Sequence, residues 1–484
     1  SPAATFIAYN YNTPLDVAAF EIEARKILSE CEAECGWMYE TRHVGIDGAP
    51  IIGLDGKPVI GRIQYVVWSD VFICPSCSSE IVFWDSAVNQ ETGTISDEFL
   101  CPHCSAKLTK RDCERAWNTY YDQYTLTNQR IAKQIPVHIN YTTGSGRHTK
   151  KPDSYDFDVL RRIQLLTNTH PVPNSRNPDG EKMRDPARLG IEYSHQFYTE
   201  RNLYVLSSLW EKAQNSVFRW PLLFVMTGIV QISSKLSRFR YDSRNPKNTA
   251  GGIMNGTLFV PSLSREGTVF ENYERRLASI IQMLRSTRAF QSGNALVTCG
   301  GQQAINVPDK TIDYVFTDPF GANINYSELN NLWEAWLKIQ TSQAQEAIIS
   351  GCQKKGLPEY QEMMEQCFRQ YYRVLKPNRW ITIEFHNSKN AVWNAIQEAL
   401  SRAGFIVADV RVIDKKQGSF NQVSSQGAVQ QDLVISAYKP RESFVRQFQQ
   451  RAGDPEMAWE FVRQHLRNVP VTADGNHDGK LDII

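Results

Sequence analysis

Two Cys-x-x-Cys pairs constrain this chain more tightly than any other feature. Cys74-Pro-Ser-Cys77 is followed, after 23 intervening residues, by Cys101-Pro-His-Cys104. In a chain of 484 residues, paired knuckles point to a metal rather than to disulfides. Each knuckle presents two thiolates, and four thiolates close a tetrahedral site with no open position. The span between them contains the β-rich run Ile81-Val-Phe-Trp84, so the segment matches a zinc ribbon. Its ligands would be Cys74, Cys77, Cys101 and Cys104, and its role structural. A redox pair or unliganded thiols are the alternatives. His103, between ligands, is expected to face solvent, and Cys31 and Cys35 to serve packing.

Length alone favours two or three domains. The apolar fraction is 42% and the charged fraction 22%, as in ordinary globular chains. Net charge is +1, so a nucleic-acid surface would have to be a local basic patch. No segment reaches the ~20 apolar residues that span a bilayer. The nearest, Trp220 to Ile232, contains Pro221 and reads as a buried core element. The opening residues do not read as a signal peptide, so none is expected. With reduced cysteines, this predicts a cytoplasmic protein without a membrane partner. The chain opens at Ser1 without an initiator Met and stops in the apolar run before Ile484. It therefore reads as a segment of a longer protein.

Helices are expected over 14–32, 109–135, 197–214 and 269–286, and strands over 63–68 and 257–260. Two basic stretches stand out. Asn140 to Lys151 is rich in Gly, Ser and Thr and carries Arg147, Lys150 and Lys151. Lys235 to Lys247 carries Arg238, Arg240, Arg244 and Lys247, interleaved with Phe239 and Tyr241. Cations suit phosphates and aromatic rings suit unstacked bases. The alternative in each case is a solvated loop.

From about residue 293 the rhythm becomes β/α alternation. Strands are expected at 295–298, up to Asp318, and at 380–385, 405–413 and 432–438. Helices are expected at 328–339, 358–375 and 392–403. That alternation implies a mostly parallel sheet covered on both faces. The last two strands lack a helix between them, so they should form a long antiparallel hairpin.

The strand containing Tyr314-Val-Phe316 ends abruptly in Asp318-Pro319-Phe320-Gly321. Open α/β sheets place ligands at the carboxyl ends of such strands. A carboxylate there can accept a hydrogen bond from an exocyclic amine. Proline holds the turn and leaves its carbonyl free, and a ring offers a platform for an unstacked base. The motif resembles that of amino-methylating DNA methyltransferases, Asp/Asn/Ser-Pro-Pro followed by an aromatic residue. Tyr372-Arg-Val-Leu-Lys-Pro-Asn-Arg-Trp380 is similar to the segment before the fifth strand of class I S-adenosylmethionine-dependent methyltransferases. The four-cysteine ribbon, Thr317 to Asn330 with Leu332-Trp-Glu-Ala-Trp-Leu337, and Gln426 to Val434 together resemble the zinc-ribbon-containing adenine-specific DNA methylases.

That resemblance implies an α/β fold: a class I methyltransferase-like doubly wound sheet with an antiparallel end strand, interrupted by a zinc ribbon and an α+β insert. Its segments would be 1–70, the remainder of an N-terminal half; 71–108, the ribbon; 109–290, a DNA target-recognition insert; 291–440, the catalytic half; and 441–484, an extension. The cofactors implied are S-adenosylmethionine and structural Zn2+. The partner implied is DNA, with restriction or phage-defence proteins as further partners. The glycine-rich cofactor loop of such proteins precedes a Ser-Pro-Ala-Ala segment, so it would lie upstream of Ser1. Asn323 is the remaining candidate for cofactor contact, with Tyr326 a further site candidate and His386 near the sheet's carboxyl edge. Asp318, Pro319 and Phe320 would bind and orient a flipped adenine. The motif here has one proline where the family has two. Alternative readings are an inactive nucleic-acid-binding homologue, and an RNA or cytosine-N4 methyltransferase. Asp474 to Asp482 imitates the start of a calcium loop but lacks its closing Glu.

Overall fold

The computed structural model describes every residue except 145, 242–248, 288–294, 320–321, 387–388, 415–430, 452 and 469–484. The calcium-like stretch and residues 426–430 of the third resemblance motif therefore lie outside the described residues. The chain divides into two compact units. The larger holds Pro2–Thr298 and Tyr326–Thr341; the smaller holds Ser1, Cys299–Asn325 and Ser342–Ile484. The boundaries expected from sequence at 70/71, 108/109 and 290/291 fall inside the larger unit, and that at 440/441 inside the smaller.

In the larger unit, helices α1 (Pro2–Asn12) and α2 (Val17–Cys35) precede the short strand β1 (Glu40–Arg42). Asp16 caps α2 by accepting from the Ala18 and Ala19 amides, satisfying donors that no helical carbonyl reaches. The buried face of α2 carries Phe20, Ala24, Ile27, Leu28, Cys31 and Cys35, so both cysteines are packing residues, as expected. Strand β2 (Ile60–Ile73) is the spine of the unit. The ribbon follows it, with β3 (Glu80–Val82), β4 (Glu98–Leu100), β5 (Lys107–Thr109) and β6 (Glu114–Arg115). Both β3 and β6 pair with the end of β2.

The helix expected over 109–135 is absent. In its place β7 (Trp117–Asp122) and β8 (Thr127–Ala132) form an antiparallel hairpin, registered from Asp122↔Thr127 to Trp117↔Ala132. Trp117, Thr119, Tyr120, Tyr121 and Thr127 are aromatic or β-branched residues that suit a pleated surface. The turn is closed by Asp122, whose carboxylate accepts from the Tyr124 amide at 2.9 Å. Leu126 takes φ +56° there. The basic loop expected at 140–151 is also a hairpin, of β9 (Gln134–Thr143) and β10 (Gly146–Lys150).

Five helices supply most of the apolar core: α2, α4 (Glu200–Gln214), α5 (Arg219–Thr227), α6 (Val269–Thr287) and α8 (Asn331–Leu337). Helix α3 (Ser154–Gln164) and the short α7 (Tyr326–Leu329) complete the set used below. Strand β11 (Leu263–Gly267) pairs with β2; it begins beyond the strand expected at 257–260. No helix among the described residues is long and apolar enough to cross a membrane.

The smaller unit is a four-stranded sheet of β12 (Ile312–Thr317), β13 (Leu375–Phe385), β14 (Ile406–Asp414) and β15 (Gln431–Tyr438). Helices α9 (Leu357–Val374) and α10 (Asn390–Ala403) bury Tyr360, Phe368, Ile396 and Leu400 with Ile381, Ile383 and Ile435 of the sheet. The strand order is β12-β13-β15-β14. Strands β12 and β13 are parallel, and β15 is antiparallel to both its neighbours. The expected antiparallel final strand is present, but it is inserted beside the edge rather than forming it. Asn378 explains one resemblance. It sits at φ +59°, a left-handed conformation that Gly and Asn reach most cheaply. No regular element forms over 295–298.

Candidate functional site

Strand β12 ends at Thr317, so Asp318 emerges at the carboxyl end of a strand that runs parallel to β13. Register pairs Thr317 with Ile383, which brings His386, just past β13, to the same end of the sheet. On one face, the Tyr314 hydroxyl donates to Thr382 at 2.7 Å. Asp318 is exposed and Pro319 partly so; an exposed carboxylate is within reach of a large substrate. Phe320 lies outside the described residues. Ala322 is buried at φ +65° and its carbonyl accepts from the Ile349 amide at 2.9 Å. That bond anchors the chain just after the motif. Asn323 is exposed. Among the described residues of this unit no glycine-rich turn follows a strand into a helix, and no residue is assigned to hold S-adenosylmethionine.

Further along, several side chains are buried and hydrogen-bonded. Glu328 is fully buried and accepts from the Lys182 amide at 2.6 Å. Asn331 donates to Asn177 at 2.9 Å, and Trp336 donates to the Tyr198 hydroxyl at 2.9 Å. All of these residues belong to the larger unit.

The four cysteines do converge. Sγ of Cys74 lies 3.7 Å from that of Cys104, and Cys77 is 3.8 Å from Cys101. All four sulfurs fall within 4.8 Å of one another. A tetrahedron with Zn–S bonds of ~2.3 Å requires S···S separations of roughly 3.8 Å, so the residues fit zinc. The two knuckles repeat one geometry. Ser78 and Ser105 each take φ +59°, and their amides return to the carbonyls of Cys74 and Cys101 at 2.9 Å. Hydrogen bonds from Ser79 lower the Cys77 thiol to about 6. Although the Ala106 amide lowers Cys104, desolvation and the neighbouring Cys101, Cys77 and Cys74 push it up to about 12. A cation is what allows four crowded sulfurs to be thiolates together. His103 is exposed, as expected.

The basic residues divide. Arg147 bonds Asn140 at 2.6 Å. Lys151 is 75% exposed, 3.7 Å from Asp85, and Arg240 is exposed. Lys150 is not a surface cation: it is buried and bridges Asp153 at 2.7 Å and Asp156 at 2.8 Å, tying β10 to the start of α3. Arg238 is half-buried, its Nε lacking a hydrogen-bond partner among the described residues. Phe239 is no stacking platform. It is buried in the ribbon core, 5.5 Å from the Trp84 ring. Arg244 and Lys247 lie outside the described residues. One buried pair escaped the sequence reading: His195 Nε2 is 2.7 Å from Asp122. Its partners are 73 residues apart, and only the turn role of Asp122 is a local signal.

No protein-family model and no curated protein matches the chain. Solved structures give slight likenesses. TTHA0409 of Thermus thermophilus, provisionally named a DNA modification methylase, is 15% identical over 33% of this chain and 59% of its own, with a TM-score of 0.17. The same protein complexed with S-adenosyl-L-methionine is 15% identical over 34% and 65%, at 0.18. The cyclase SpnF is 13% identical over 32% and 61%, at 0.19. The match spans less than two thirds of each, and likenesses this slight carry no functional argument.

Proposed function

We propose that this chain is part of a DNA methyltransferase that methylates the N6 amino group of adenine, with S-adenosylmethionine as donor. One observation carries the reading. Asp318-Pro319 sits at the carboxyl end of a parallel strand, in a sheet whose last strand is inserted antiparallel beside its edge. That is where a base taken out of its helix would meet a carboxylate.

When bound, the donor would supply an electrophilic methyl group and leave as a neutral thioether, with one N6 proton passing to water; the chain's part is to hold the base. The Asp318 carboxylate and the Pro319 carbonyl accept the two N6 hydrogens, while Phe320 stacks on the ring. Accepting both hydrogens raises electron density on the nitrogen and fixes the direction of its lone pair. The amine is a weak nucleophile, so positioning and polarisation supply most of the acceleration. Arg147, Lys151 and Arg240 are the cations on offer to the DNA backbone. Zinc on Cys74, Cys77, Cys101 and Cys104 holds the ribbon and takes no part in the chemistry.

The test is N6-methyladenine in the DNA of cells expressing the protein, measured by mass spectrometry. Methylation that disappears with Asp318→Ala is the expected result. Methylcytosine in its place moves the activity to the cytosine amine. The absence of both leaves the inactive DNA-binding reading, which the single proline of the motif favours.

A further inference from the structure

The larger unit contains a recess of about 660 Å3 bounded by the β7–β8 hairpin, α3 and the start of α4. That volume is within the roughly 300–1,000 Å3 of small-molecule sites. None of its residues was marked by the sequence as functional except Lys235, which stood at the edge of a supposed surface patch.

Its lining includes aromatic rings and charged side chains. Tyr121 and Phe157 line it and stand 63% and 44% exposed, so two rings meet whatever enters. Deeper, Tyr124 packs its edge on His195, ring centroids 5.1 Å apart, and His195 is held by Asp122. Lys235 Nζ donates to the Gln196 carbonyl at 2.9 Å, which uses one of three N–H donors. Burial lowers the Lys235 ammonium to about 8, against the pull of Glu200 and Glu266. Glu200 lines the same space. As a residue it is exposed, and among the described residues no hydrogen bond or ion pair to its carboxylate is seen. Burial by the surrounding walls nevertheless raises its pKa, with Lys235 opposing.

The lining therefore includes a carboxylate and an ammonium that feel each other's charge, together with aromatic rings. Exocyclic amines next to ring acceptors present the complementary pattern, and their flat faces suit Tyr121 and Phe157. We infer that this recess is a second ligand site, one that takes an amino-bearing nucleobase, with Glu200 receiving the amine and Lys235 donating to the adjacent ring nitrogen or carbonyl. The base comes either from an unstacked nucleotide in a strand or from a free nucleotide. The inference shares the nucleic-acid ligand of the proposed function and none of its residues.

The experiment uses the full chain and 2-aminopurine, an amino-bearing fluorescent base, offered as the free nucleoside monophosphate and within single- and double-stranded oligonucleotides. Stacking in the recess should quench its emission. Replacing both rings, Tyr121→Ala with Phe157→Ala, should weaken binding about tenfold or more. The isosteric Glu200→Gln should weaken the aminopurine about tenfold while leaving unsubstituted purine unchanged. Binding of the free nucleotide supports a nucleotide site; binding only within a strand supports an extrahelical base. Lack of quenching in every form, or unchanged affinity in both variants, overturns the proposal. The same titrations with Asp318→Ala keep the two sites separate. Quenching that survives while methylation is lost assigns the signal to the recess, and quenching lost with Asp318 overturns that assignment.

Discussion

The two units differ in buried charge. The larger has surface ion pairs too, such as Arg161–Asp158, but it also buries three: Arg201–Glu266, His195–Asp122 and Lys150–Asp156 are each 5% exposed or less on both sides. In the smaller, the described pairs lie at the surface. Lys376–Asp313 is 41% and 59% exposed, and Arg402–Glu398 54% and 52%. Its core is held by apolar contact between α9, α10 and one sheet face. A charge inside protein is tolerated only while its partner remains, so the larger unit is the one that single substitutions and acid should damage. Hydrogen exchange, which reads each unit separately, can break that contrast.

The largest effect should follow metal removal. The ribbon's own core is small, resting on residues such as Phe72, Phe83 and Phe99. Binding free energy at such sites is folding free energy. A strong chelator should release one zinc equivalent and abolish protection over 74–109, opening Lys107, Lys110 and Arg111 to trypsin. Protection in β12–β15 should stay. A ribbon that keeps its protection without metal would contradict a structural site.

Next is Glu266→Ala. Glu266 accepts from Arg201 at 3.1 Å and from Trp68 Nε1 at 2.9 Å, and also from the Thr199 hydroxyl. Its loss leaves the Arg201 guanidinium buried and uncompensated, at a cost of roughly 3–5 kcal/mol. Exchange should accelerate across β2 and β11. A loss below about 1 kcal/mol would mean that the buried pair is no keystone.

Acid gives a smaller, graded effect. Burial between the Tyr65 and Trp84 rings lowers His138 to about 4. The unfolded state, with an ordinary value of ~6.5, takes up the proton first. Stability from this group is therefore complete above about 6.5 and is lost as pH falls toward 4, by at most about 3 kcal/mol. The difference between wild type and His138→Gln should shrink over that window. A difference that is flat with pH would show His138 protonated in the fold.

Legibility in the sequence follows the same division. The smaller unit was readable because its helices and strands repeat at their own periods, as in α9, α10 and β13. The four cysteines were readable because two knuckle turns carry the whole ligand set. What failed was long-range. Trp117 to Ala132 has apolar residues at spacings that fit a helix, and pairing across the Asp122 turn decided for a hairpin. Lys150 and Phe239 look exposed in a polar run until Asp156 and Trp84 arrive from elsewhere in the chain. Asp318 announced itself through a motif, whereas Glu200 and Lys235 are neighbours only after folding.

The smallest effect should come from Asp313→Asn. The Lys376 ammonium, at 2.8 Å, and Arg379, at 3.2 Å, hold the Asp313 carboxyl below the usual range. Geometrically the cluster looks as good as any in the larger unit, and it belongs to the strand that carries Asp318. Yet all three side chains stand in water, where attraction is screened and ordering long side chains costs what the pairing returns. Exchange rates in β12 and β13 should match wild type within replicate scatter, and any methylation that depends on Asp318 should persist. A clear loss of protection would place surface charge among the forces holding this sheet and erase the contrast between the units.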